Sequence, residues 1–135
     1  MADPQTLLAQ MGGLDALRPV ISEFIDRVRA DVMIGFHFNA VDPDVLKQRE
    51  LEFTARALGG EIAYTGRGMR QAHAQHPILP GQFYRRLMIL RQTLADHNVP
   101  EPVVAAIILH TERLRGQILQ MPDLCAPPKR PADSE

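Results

Sequence analysis

The sequence predicts an all-α domain, and three observations carry that reading. Apolar residues recur at i, i+3 and i+4. Glycines and prolines cut the chain into pieces of helical length. No stretch alternates apolar and polar residues as a half-buried strand does. The chain has 135 residues, enough for one domain with a single core.

Taken in order, Asp3 caps a short opening helix with Pro4 in its first turn, and Gly12-Gly13 ends it. Pro19 starts a second, longer helix or bends its beginning. Leu17, Val20, Ile21, Phe24 and Val28 are its buried stripe. Val32 to Phe38 is short, apolar and compact, one turn or two. Asp42 or Asp44 caps a helix that reaches Leu58, and Gly59-Gly60 stops it. A loop carries Tyr64-Thr65-Gly66, and a short helix runs from Met69 to about His76. Two longer helices follow, about Gly81 to His97 and about Glu101 to Gln120, separated at Asn98, Pro100 and Pro102. The domain is therefore expected over residues 1–121. The proline-rich remainder, 122–135, is expected to be a disordered tail.

Hydrophobic residues make up 45% of the chain and charged residues 23%, as in a soluble globular protein. Lysines and arginines number 15 against 16 acidic residues, a net charge of −1, which gives no reason to expect nucleic acid or an anionic membrane as partner. The single cysteine, Cys125, forms no intramolecular disulfide and suits a reducing cytosol. The first residues lack the basic and apolar pattern of a signal peptide, and no apolar run is long enough to span a bilayer. A cytoplasmic location is expected.

Several residues break the helical pattern. Leu46, Phe53 and Ala57 form a stripe whose missing position is Glu50. Either this carboxylate is buried and paired, or the helix is rotated enough for it to reach water. Arg86 borders the stripe of Phe83, Leu87, Leu90 and Leu94, where it reads as a stem on the core edge with its head in water. His110 falls on the stripe of Val103, Ile107, Leu114 and Ile118, and reads as a hydrogen-bonded core histidine rather than a ligand. His73 and His76 are spaced to share a metal, but no third ligand stands at zinc spacing. The sequence has no GxSxG, phosphate-binding glycine loop or HExxH, and no CxxCH for covalent haem attachment.

The order of motifs resembles the truncated haemoglobins, especially their first group. Leu14-Asp15-Ala16-Leu17-Arg18 after Gly12-Gly13 is similar to the family's opening, and Phe24 to Asp31 to its second helix. Phe36-His37-Phe38 with Val41-Asp42 resembles the turn carrying its haem-packing phenylalanine. Leu58-Gly59-Gly60, Tyr64-Thr65-Gly66-Arg67 and Met69-Arg70-Gln71-Ala72-His73 resemble the approach to the proximal histidine. The likeness runs from about Leu8 to Leu119 and is most specific between Leu58 and His73.

The resemblance implies a shortened globin fold, helices packed two-over-two around haem b (iron protoporphyrin IX). His73 matches the iron ligand, and Phe38 the ring on the haem face. Leu46, Glu50 and Phe53 fall on the distal helix face, and Met69 contacts the haem. Arg49 stands near the propionates, where a fixed cation favours carboxylates. Tyr64, Phe83 and Arg86 complete the expected site. Ile25 occupies the place where many relatives carry a tyrosine, Glu50 the place often held by glutamine, and Arg86 that of a small pocket residue. The usual donors to bound oxygen are thus missing, which counts against tight O2 binding and the nitric-oxide dioxygenase activity that depends on it. The family's helices meet over the distal pocket, so Glu50 and Arg86 are expected to pair there. The implied function is reversible binding of a diatomic gas (O2, NO or CO), or redox chemistry at the iron with a reductase as partner. The rival is a haem-free globin-like module for interaction or sensing.

Overall fold

A computed structural model of the chain describes residues 6–60 and 79–115. A left-handed turn at Gly12-Gly13, with φ of 111° and 80°, joins the first two helices. A Cβ on Gly12 would lie 2.8 Å from that of Ala16, so glycine is needed there for space as well. Helix α1 is Leu7–Met11, and its cap is Thr6, whose Oγ1 accepts from the Ala9 N–H at 3.1 Å. Asp3, the expected cap, lies outside the described residues.

Helix α2 is Leu14–Ala30 and runs through Pro19 instead of starting there. The Gly13 carbonyl already accepts from the amides of Ala16 and Leu17, so the first turn is closed before the proline arrives. Pro19 then costs one backbone bond on an exposed face. The expected stripe is buried, with Ile25 added to it. A 3₁₀ turn follows at Gly35–Phe38, in the segment expected to be compact. Of that segment only Ile34 and Gly35 are buried, while Val32, Met33 and Phe36 are exposed.

Helix α3, Pro43–Ala57, is capped by Asp42, whose carboxylate accepts from the Asp44 N–H at 2.8 Å. Its buried face is not the expected one. Leu51, Thr54, Ala55 and the following Leu58 enter the core, and Leu46, Glu50, Phe53 and Ala57 form a half-buried face beside it. The helix is turned by about one residue, roughly 100°, because Leu51, Ala55 and Leu58 pack against the apolar stripe of α2. Glu52 is carried inside with them and accepts from Gln48 Nε2 at 2.8 Å.

Helix α4 is Pro80–Asp96 and α5 is Glu101–Arg113, and the expected end near Gln120 lies outside the described residues. The expected α4 stripe of Phe83, Leu87, Leu90 and Leu94 is buried throughout. Thr93 and Thr111 lie in the apolar interior because each hydroxyl donates to the carbonyl four residues back, Ile89 and Ile107.

Helix α2 is the hub, packing against α1, the 3₁₀ turn, α3 and α4. Helix α5 packs on α1, α3 and α4. The long helices thus form two pairs, α2 with α3 and α4 with α5, the two-over-two arrangement expected. Helices α3 and α4 scarcely approach each other directly. No strand occurs among the described residues, and none of their helices is long and apolar enough to cross a membrane.

Candidate functional site

The Arg85-Arg86 pair on α4 organises the region between α4, α2 and α3. Arg85 reaches the end of α2, where its Nε and Nη2 lie 2.8 and 2.7 Å from Asp31 Oδ2. The Asp31 side chain is only 6% exposed, and its other oxygen accepts from the Met33 N–H at 2.9 Å. The Arg85 guanidinium holds this carboxyl below its ordinary range, against the opposing effect of burial.

Arg86 points the other way. Its Nη2 donates to Glu50 Oε1 at 3.0 Å, and its guanidinium carbon stands 5.0 Å from the centre of the Phe24 ring. The head expected in water is therefore held between a carboxylate of α3 and an aromatic face of α2. Arg86 is 22% and Glu50 18% exposed. Glu50 thus takes the paired alternative, and the pair bridges two helices that are otherwise apart.

His110 of α5 joins the same region. Its ring lies 5.0 Å from that of Phe53, tilted by 47°. It makes no hydrogen bond to a described residue, unlike the bonded core histidine expected. Burial lowers its pKa, the charge of Glu50 opposes that, and Arg113 adds to it.

Apolar side chains lie on the same elements and on the 3₁₀ turn. Leu46 and Phe53 are half-buried on the same face of α3 as Glu50, and Phe38 is half-buried at the end of the 3₁₀ turn. Phe83 is 1% exposed yet stands outside the continuous apolar core, with its ring edge-on to Tyr84 at 5.6 Å. His37 Nε2 lies 3.2 Å from Gln82 Oε1, which ties the turn to the start of α4. Arg49 is half-buried and has no acidic partner among the described residues, whereas Lys47 is paired with Asp26 at 2.9 Å. Tyr64, Met69, His73 and His76 lie outside the described residues. Among those described, no cluster of three or more His, Cys, Asp or Glu side chains is arranged for a metal ion.

Sequence reasoning missed the Asp31–Arg85 pair, the burial of Glu52 and the role of Phe24 as a platform for Arg86. The arginine doublet was the available signal, since neighbours on a helix face directions about 100° apart and need separate partners.

Over residues 6–120 the sequence matches the family described as bacterial-like globin. It is 34% identical over 107 residues to the group 1 truncated hemoglobin GlbN of Mycolicibacterium paratuberculosis, covering 79% of each chain. It is 35% identical over 108 residues to the group 1 truncated hemoglobin GlbN of Synechocystis sp., across 76% of this chain and 86% of that one. The truncated hemoglobin of Tetrahymena pyriformis, solved in its Fe(III) form, has a similar fold, with a TM-score of 0.79 at 26% identity. That likeness covers 85% of this chain and 98% of the other.

Proposed function

The chain belongs to the truncated haemoglobins, and from that premise we propose that it binds haem b without a covalent link and takes up a diatomic gas, O2, NO or CO, at the iron. The observation that carries the reading is the family match over residues 6–120, which spans every candidate site residue from Phe38 to Arg86.

The described residues fit the cofactor. A haem needs an apolar slot, cations at its edge and one imidazole at the iron. Phe38, Leu46, Phe53 and Phe83 supply apolar surface that lies outside or at the margin of the main core. Arg49 is a cation with no acidic partner among the described residues, suited to a propionate. When bound, haem supplies an iron with an open coordination position for a small ligand.

The chain's own residues do the rest. In this reading His73 would hold the iron through an imidazole nitrogen, with Met69 and Tyr64 as further haem-binding residues. Leu46 and Phe53 keep bulk water from the ligand side. Ile25, 5% exposed on α2, offers no hydrogen bond there, so polarity on that side comes from Glu50 and Arg86. The proposal includes a cytoplasmic setting, for which the lone Cys125 speaks, and a reductase that returns the iron to its ferrous state.

An absorbance scan of the purified full chain tests the reading. The expected result is a strong Soret band that survives desalting. A chain with no such band after haem reconstitution would instead be a haem-free helical module for interaction or sensing.

A further inference from the structure

We propose that Arg86 is a hydrogen-bond donor that selects small anions, such as azide or nitrite, at the ligand side of the haem site, with Glu50 as its positioning residue. The inference rests on the haem-binding reading above and names the ligand class its site prefers.

A guanidinium has five N–H donors in a rigid fork. Among the described residues, Glu50 takes up one nitrogen of Arg86 through one carboxylate oxygen, at 3.0 Å. The fork is not closed in the two-bond manner by which arginine and carboxylate often saturate each other. The guanidinium carbon stands over the Phe24 ring, fully buried on α2, at 5.0 Å from its centre. Arg86 is thus fixed in place while donors remain for a further acceptor. The Arg86 side chain as a whole is 22% exposed.

The surroundings sharpen the preference. Helices α3 and α4 scarcely approach each other directly where this pair joins them, and Leu46 and Phe53 stand half-buried on the same face of α3 as Glu50. Neither Ile25 nor Phe53 has a polar hydrogen to offer. His110, its ring tilted against that of Phe53, is the other nitrogen donor of the cluster, and its burial favours the neutral ring. The cation bonded to Glu50 in this cluster is Arg86. In apolar surroundings a charge-assisted bond to an anion outweighs anything a cation gains from neutral CO. Glu50 moderates the effect, since its carboxylate repels an anion while it holds the guanidinium.

The test is equilibrium binding to the haem-loaded full chain, followed at the Soret band. Azide is titrated against the ferric protein and CO against the ferrous protein, for the wild type and for Arg86→Met, Arg86→Lys and Glu50→Gln. Loss of one charge-assisted bond predicts azide binding weaker by about tenfold or more in Arg86→Met, with CO affinity changed by less than about threefold. Arg86→Lys restores part of the azide affinity, because it keeps the cation. Glu50→Gln holds or raises azide affinity, because its amide oxygen still accepts from Arg86 and the repelling charge is gone. The C–O stretching frequency of the CO complex rises in Arg86→Met as the nearby positive charge is lost. Azide affinity indifferent to Arg86, or azide and CO weakened in proportion, overturns the inference. So does an azide loss in Glu50→Gln equal to that in Arg86→Met. A wild-type chain without a Soret band sinks the haem reading itself, whereas a normal band with unselective azide binding sinks the present inference alone.

Discussion

Replacing Glu50 and Arg86 singly and together asks whether the pair acts as a unit. The charged atoms are 3.0 Å apart, and the side chains are 18% and 22% exposed. At an effective dielectric near 20 the attraction is about 5 kcal/mol, and loss of water around both groups cancels most of it. Fully exposed pairs contribute about 0–1 kcal/mol, and stranding one partner of a fully buried pair costs about 3–5 kcal/mol. This pair lies between those limits. Arg86→Met leaves the Glu50 carboxylate without its cation and removes the guanidinium from the Phe24 ring, for an expected cost of about 2–3 kcal/mol. Glu50→Gln keeps an oxygen for Arg86 Nη2 and is expected to cost about 1–2 kcal/mol. In the double variant neither charge is stranded, so the cost should fall short of the sum by about 1–1.5 kcal/mol. The assay is urea unfolding followed by helical circular dichroism. All four proteins must be compared at matched haem saturation, because a group that binds only the folded chain raises apparent stability. Costs that add to within about 0.5 kcal/mol would refute the reasoning, since that is how independent sites behave.

Other predictions follow from different parts of the chain. His73→Ala should abolish or sharply weaken haem retention while His76→Ala should not, as read from the Soret band after desalting; the reverse pattern would move the ligand to His76. Asp31→Asn should cost about 1–2 kcal/mol near neutral pH. Because Arg85 lowers the Asp31 pKa in the folded state, that advantage is present above its ordinary value of 3.8 and is lost as pH falls below it. The wild type and Asp31→Asn should therefore converge in strong acid, and a difference that grew with acid would refute the assignment. Gly35→Ala should destabilise the chain by about 2 kcal/mol or more, because the new Cβ would collide with the Arg29 carbonyl oxygen; an unchanged melting curve would contradict it. A chain ending at Met121 should melt within error of the full length, and a clear loss of melting temperature or haem content would mean that the last residues pack on the domain.

The helices were legible because their signals are local. Asp42 before Pro43, the Gly12-Gly13 turn, and the stripes of α2 and α4 each follow from side chains a few residues apart. The rotation of α3 was not. Its sequence offers two adjacent faces, Leu46-Phe53-Ala57 and Leu51-Ala55-Leu58, and only packing against α2 decides between them. Pro19 does not start α2, because a proline marks a helix start only when no earlier residue has closed a turn, and here the Gly13 carbonyl does so. At the site, Glu50 and Arg86 stood out as charges on or beside apolar stripes. That anomaly is readable in one dimension, whereas the Phe24 ring beneath Arg86 and the partner of Arg85 depend on how three elements converge.

That convergence also explains how a polar pair is kept in a largely apolar place. Arg85 and Arg86 are consecutive on α4 and so project about 100° apart. One is fastened to Asp31 at the end of α2, and the other to Glu50 across the gap to α3. A rotation of α4 that sent Arg86 to solvent would pull Arg85 away from Asp31, leaving a nearly buried carboxylate without its cation. A rotation in the opposite sense would drive Arg86 off the Phe24 ring and bring its stem into the space of Leu87 or Phe83, both buried. The Asp31–Arg85 pair lies outside the candidate cluster, yet it tethers the helix that carries Arg86. Weakening it should therefore be felt in ligand binding through the posture of Arg86, although neither Asp31 nor Arg85 touches the candidate ligand side.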